Sequence, residues 1–265
     1  MELAIHDIQA GWPFVIAIGV LVGLAQSLFG LGGGVVVVPL LPLVFLMEPR
    51  QAVASSLVAL APVALINSIR VIFRGEMDWR RVLRIGPAAM IGSSVAATFS
   101  SYVEGRALIA GFGLATGWMA YHVFFKTVGN RRSFAKAWDF LAGLVAGVAS
   151  GFTGVSTGVV LLPYLNRIQE LALARVVPTS IGVIALSALA SAFTFAVENS
   201  AASTGTTLFS YEVVGLLAIA AILTSQVGLQ FQSRVPQRIK LAVVGTLLIG
   251  LTVRSLLHVI GIASF

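Results

Sequence analysis

The chain has 265 residues, of which 58% are hydrophobic and only 10% charged, and its mean hydropathy is +0.98. A soluble domain carries about 25% charged residues, and a water-exposed surface cannot be built from so few. A soluble enzyme, a disordered chain and a secreted disulfide scaffold are therefore excluded; the class is an all-α polytopic membrane protein. Cysteine is absent, which removes disulfides, thiolate metal sites and thiol relays. His6, His122 and His258 match no zinc spacing, and no cofactor is expected. The net charge of +7 would suggest nucleic acid for a soluble protein. Here the bases sit in short loops between apolar segments, where the membrane calls for them. The expected partner is the lipid bilayer, not nucleic acid.

Met1–Ala10 carries Glu2 and Asp7 but no Lys or Arg. It lacks the basic start of a signal peptide, so the first apolar stretch is expected to remain in the protein. Apolar segments then follow at 11–29, 34–47, 51–73, 82–102 and 106–125. A basic linker, 126–136, leads to 137–150, 155–168, 171–197, 210–232 and 237–258. Such runs must be helical in lipid, because an open strand edge has no partner there. Residues 34–47 and 155–168 are only 14 residues each, about 21 Å as helix, against a hydrocarbon core of about 30 Å. They are half-helices, re-entrant pieces or tilted short spans.

The two short segments also repeat. At an offset of 124, Gly23, Ala25, Gly30, Gly34, Val35, Val36, Pro39 and Leu41 recur as Gly147, Ala149, Gly154, Gly158, Val159, Val160, Pro163 and Leu165. The same offset lays Ser55-Ser56 on Thr179-Ser180. Further on the offset becomes 132, with Phe99 on Phe231, Ser101 on Ser233 and Arg106 on Arg238. The extra eight residues fall in the polar loop near 198–211. The chain thus reads as repeat 1 (11–125), a basic linker (126–136) and repeat 2 (137–258). Fourteen of its 17 bases lie in four loops, which the positive-inside rule puts in the cytoplasm. The N-terminus is then outside. Each repeat has about five helical segments, an odd number, so the repeats are inverted. Inverted repeats with broken helices are the architecture of secondary transporters.

The breaks are the first candidate site. Gly30, Gly32, Gly33 and Gly34 interrupt one apolar run, and Gly154, Ser156, Thr157 and Gly158 the other. A helix that starts in mid-membrane aims unpaired N–H groups and a positive dipole end into the protein. Glycine lets an anion come close to that backbone. Close helix packing is the competing explanation, but packing does not require an interruption. Ser55, Ser56, Thr179 and Ser180 could donate to an anion or simply join helices. Gln26 (counterpart Ser150) and Asn67 (counterpart Ser191) are further candidates. All ten carboxylates map to loops or segment ends, so no proton relay, acid–base pair or metal cluster is in view. Arg70 and Arg84 read as snorkelling interface residues, with attraction of anions into a cytoplasmic vestibule as the alternative. The expected ligand is a small anion bound between the breaks, and Gly33→Val is expected to block it by bulk.

Gly-Leu-Gly-Gly-Gly-x4-Pro-Leu-Leu at 30–41, Ser-Ser-Leu at 55–57 and Arg-Gly-Glu-Met-Asp-Trp-Arg at 74–80 resemble the TauE/SafE sulfite-exporter family of bacterial inner-membrane permeases. The resemblance runs through nearly the whole chain. It implies transport of small sulfur-containing anions such as sulfite or organosulfonates, usually outward. An anion channel and a non-transporting accessory subunit of a membrane complex remain as alternatives. A coupling proton or sodium ion, and pairing into a homodimer, are compatible with this architecture.

Overall fold

The computed structural model describes residues 3–29, 32–124, 136–165, 173–201, 208–231 and 237–259. The described residues form ten α-helices and one 3-10 turn, with no strand. The helices are α1 Leu3–Phe29, α2 Gly34–Phe45, α3 Pro49–Phe73, α4 Trp79–Phe99 and α5 Gly105–Phe124. Then come α6 Lys136–Thr153, α7 Gly158–Pro163, α8 Leu173–Ala201, α9 Tyr211–Phe231 and α10 Gln237–Val259. Five of them contain stretches long and apolar enough to cross a membrane. The protein is an all-α polytopic membrane protein.

Local chemistry sets the helix ends. At the start of α3, Glu48 and Gln51 form a capping box with Pro49 at the first helical position, which satisfies N–H groups the helix leaves open. Asp78 caps α4 by accepting from Arg81 N at 3.3 Å. Element boundaries keep the sequence offsets. The end of α1, the start of α2 and the start of α3 lie 124 residues before the end of α6, the start of α7 and the start of α8. The starts of α4 and α5 lie 132 residues before those of α9 and α10.

Neither short helix continues the path of the helix before it. A Cβ on Gly11 of α1 would sit 2.7 Å from Phe45 Cε1, at the far end of α2. Thus α2 folds back to the end of the bundle from which α1 came. In the second half, Tyr164 Oη, one residue past α7, donates to Asp139 Oδ1 in the first turn of α6 at 2.8 Å. Both pairs are helical hairpins.

The hairpins enter from opposite ends. At one end Arg50 Nη2 meets Glu198 Oε2 at 2.7 Å and Arg50 Nε donates to Ser100 Oγ at 3.4 Å. That end collects the start of α3, the end of α4 and the last turns of α8. At the other end Asp78 N donates to Thr179 Oγ1 at 3.1 Å, and Arg84 Nη1 lies 3.9 Å from Asp139 Oδ2. That end collects the starts of α4, α6 and α8. The first hairpin opens at the Arg50 end and the second at the Asp78 end.

Each hairpin packs on a helix of the other half. Gly19 and Gly23 of α1 lie against the backbone of α9 at Leu217, Ala221 and Ser225, and Ser27 lies against Gly228. Gly143, Gly147 and Gly151 of α6 lie against the α4 backbone at Ile85, Ala89 and Ser93. Small residues spaced by four give each helix a flat stripe, and helices in lipid associate by such close packing. Apolar burial alone provides no drive between helices already in hydrocarbon.

Asp139, expected from sequence only as a segment-end carboxylate, is 2% exposed. Its counterpart at the 124 offset is Val15, and that of Tyr164 is Leu40, so only the second hairpin has this bond. Tyr164→Phe is expected to destabilise the protein by about 1–3 kcal/mol, the cost of taking its donor from a buried carboxyl oxygen. Thermal unfolding in detergent checks this. An unchanged midpoint would show that the bond does not hold the hairpin closed.

Candidate functional site

The tips of the two hairpins meet inside the bundle. Gly34 turns its Cα to the carbonyl oxygen of Gly154, and Gly32 lies against the side chain of Ser156. Gly32 and Gly154 have φ of +73° and +68°, a conformation that disfavours residues with a Cβ. Gly33 is covered by Val22 and by Leu60, whose Cδ2 would be 2.7 Å from an added Cβ. Gly32 and Gly34 therefore serve close approach of one hairpin tip to the other, while Gly33 packs on its own hairpin and on α3. Gly30 lies outside the described residues.

Beside the contact is a small cavity of about 10 Å³, room for about one water. Its walls pair across the 124 offset: Gln26 with Ser150, Gly32 with Ser156, Gly33 with Thr157 and Leu60 with Ile184. Leu57, Ser187 and Ala188 complete it. No lining residue is titratable. Leu57 and Leu60 lie near the middle of α3, and Ile184 to Ala188 near the middle of α8. A larger open groove of about 500 Å³ near Arg106 contains none of the predicted residues.

Gln26 is the exceptional group on this wall. It is 0% exposed, and neither its Nε2 nor its Oε1 has a hydrogen-bond partner. Leaving a buried polar group unpaired costs about 1–3 kcal/mol, so an amide with both ends unpaired calls for a guest. The other polar groups are better satisfied. Thr157 Oγ1 and Ser187 Oγ share a hydrogen bond at 3.0 Å. The Ser187 carbonyl accepts from Ser93 Oγ at 3.0 Å and Ser191 Oγ at 3.1 Å. Ser156 Oγ accepts from Gly158 N at 3.4 Å. Among the first N–H groups of α2, those of Val36 and Val37 donate to the Gly33 carbonyl at 2.9 and 3.0 Å, so the donors open at a helix start are those before Val36. Everything polar that faces the cavity is neutral.

The remaining predicted residues divide. Ser56 Oγ donates to the Gly154 carbonyl at 3.4 Å, tying α3 to the second tip, while the buried Ser55 Oγ is unpartnered. Thr179 instead accepts from Asp78 N at the end of the bundle, and Ser180 Oγ donates to its own helix at Val177 O, 2.8 Å. Asn67 joins α3 to α9, accepting from Ser225 Oγ at 3.0 Å and Gln226 Nε2 at 2.9 Å. None of these five lines the cavity. Ser187 does, and the sequence reading missed it. Its counterpart is Val63, so a search for duplicated polar positions passes over it. Its spacing of seven from Ser180, which places both on one helical face, was the available signal.

Two opposed hairpins meeting at a small cavity within a bundle of apolar helices are the arrangement of a membrane transporter, and the relatives agree. The model of the TauE/SafE sulfite exporter family matches residues 15–254, and the chain belongs to that family. A probable membrane transporter protein of Methanocaldococcus jannaschii is 26% identical over 238 residues, 84% of this chain and 87% of its own. One of Bacillus subtilis is 31% identical over 94 residues, 36% of this chain and 34% of its own. One of Xylella fastidiosa is 29% identical over 161 residues, 56% and 59% of the two chains. No solved structure matches.

Proposed function

We propose that the protein is a secondary carrier that exports a small sulfur-containing oxyanion, such as sulfite or an organosulfonate, by alternating access. The observation that carries this reading is Gln26, fully buried and unpaired at both amide atoms where the hairpin tips meet. An amide N–H, hydroxyls and helix-start N–H groups suit an anion's oxygens, and no buried carboxylate on the wall repels one. Sulfur and the outward direction are taken from the family's description. The halves act as inverted repeats of one another, supported by the recurring helix boundaries and the opposed hairpins. At about 10 Å³ the cavity is too small for an oxyanion of four or more heavy atoms. Binding therefore requires the tips to part, and a centre this narrow suits a carrier better than a standing pore. The reading includes no catalytic step and no cofactor.

Counterflow tests it. Proteoliposomes loaded with unlabelled sulfite should transiently accumulate labelled sulfite above equilibrium, whereas a channel gives no overshoot. If sulfite, thiosulfate, sulfoacetate and taurine all give neither counterflow nor a thermal shift, the substrate class is wrong.

We place the protein in the cell inner membrane with the Asp78 end in the cytoplasm, on the 14 of 17 bases in four loops. The cysteine-free sequence makes this directly measurable. Ser133→Cys in the linker should react with an impermeant maleimide only after lysis, and Ser203→Cys should react in intact cells. The reverse pattern would invert the orientation.

A further inference from the structure

A second buried amide lies away from the cavity, with its orientation imposed by a cation. Arg70 Nη1 donates to the Gln226 carbonyl at 3.0 Å and to Gln226 Oε1 at 2.8 Å. Guanidinium has only donors, so it fixes which end of the Gln226 amide is oxygen. Gln226 Nε2 must then point away, and it donates to Asn67 Oδ1 at 2.9 Å. Ser225 Oγ also reaches that oxygen, at 3.0 Å. The relay leaves Asn67 Nδ2 no choice of identity. It is a donor, it is buried, and it has no partner, on a residue 0% exposed. No carboxylate among the described residues pairs with Arg70. An unpaired buried donor three positions from an unneutralised cation asks for an acceptor with negative charge.

Position connects this pair to the cavity. Asn67 follows Leu60 by seven residues, so it lies on the same face of α3 about 10 Å further toward the Asp78 end. Gln26 lies between Gly23 and Ser27, on the stretch of α1 that rests against Ser225 to Gly228 of α9. The two orphan amides thus flank the same meeting of α1, α3 and α9. Their counterparts differ. Ser191 stands for Asn67, Thr194 for Arg70, and Ser93 and Ser94 for Ser225 and Gln226. The Arg50 end of the bundle has hydroxyls there but no charge.

We propose that Arg70 and Asn67 form a second site for a small oxyanion, occupied on its way between the Asp78 end and the Gln26 cavity. The proposal rests on the reading of the protein as an anion carrier. With the Asp78 end in the cytoplasm, the charged site collects substrate from the side it leaves. The matching positions toward the Arg50 end carry hydroxyls in place of that charge and hold the anion less strongly.

Selenite is a suitable probe. It is a pyramidal oxyanion like sulfite, selenium gives an anomalous signal, and a cysteine-free chain has no thiol to reduce it. In crystals of the whole protein soaked in selenite, a peak within hydrogen-bond distance of Asn67 Nδ2 and Arg70 is expected, and Asn67→Leu should remove it. A peak in the Gln26 cavity alone overturns the second site and leaves the carrier reading standing. A peak beside Asn67 alone sustains the second site and sinks the central one. Water alone beside Asn67 at saturating selenite overturns the proposal. In proteoliposomes, Arg70→Gln should raise the KM for sulfite roughly tenfold or more, the loss of a charge-assisted contact, with turnover changed little. Arg70→Lys should recover part of that loss. An unchanged KM in an Arg70→Gln protein of wild-type thermal midpoint also overturns it.

Discussion

Gln26→Leu is expected to abolish sulfite counterflow while leaving the protein as stable as wild type or more so. Leucine is one bond shorter, fills the buried space with apolar carbon and has no polar atom. The substitution removes two buried groups that the closed state leaves unpaired, each of which costs about 1–3 kcal/mol. A structural amide would behave in the opposite way, since its loss would strand a partner. Activity and stability moving in opposite directions is therefore the signature of a ligand-binding group, and the measurements are counterflow and the thermal midpoint on one preparation. Full transport by Gln26→Leu would reduce the amide to a packing defect.

Gly34→Ala is expected to give a large loss of stability for a single added methyl group. The new Cβ would collide with the Gly154 carbonyl oxygen, which belongs to backbone and cannot rotate away. Overpacking of this kind costs about 1–3 kcal/mol, and here it also forces the two tips apart. Gly215→Ala and Gly250→Ala are the matched controls, because nothing lies within 4 Å of an added Cβ at either. Those two should be neutral or gain up to about 1 kcal/mol of helix propensity. If Gly34→Ala melts with the controls, the tips do not touch as described. Gly33→Val, attractive from sequence as a block to binding, would not separate binding from folding, since Val22 and Leu60 already fill that side.

The helices were legible because lipid leaves a chain so few options. Apolar runs, glycine breaks and the 124 offset placed α2 and the starts of α3 and α8 within two residues of where they lie, whereas α7, Gly158–Pro163, is shorter at both ends than the expected 155–168. Gln26 was legible as a candidate because a buried amide is conspicuous in an apolar run. Its rank above Thr179, Ser180 and Asn67 was not, because all four are polar residues on apolar helices and only the fold decides which of them meet. Thr179 went to the Asp78 backbone and Asn67 to α9. The glycines show the same limit. Local sequence says that a Cβ is missing, and only the partner surface says whether the space holds an anion or another backbone. The stripes Gly19-x3-Gly23-x3-Ser27 and Gly143-x3-Gly147-x3-Gly151 were readable as packing faces, although not as faces for α9 and α4.

That exchange of partners sets the order in which the molecule can be finished. Helix α1 is the first made, and the Ala220 it rests against at Gly19 is translated about 200 residues later. At about 5–20 residues per second that is an interval of about 10–40 s. During it the glycine stripe of α1 faces lipid or a chaperone, since its proper neighbour does not yet exist. Helix α6 has no such wait, because α4 is already in the membrane when it arrives. The nascent chain therefore holds its second hairpin before its first, and a ribosome stalled at the linker leaves a half-protein with an unpartnered first hairpin for quality control to recognise.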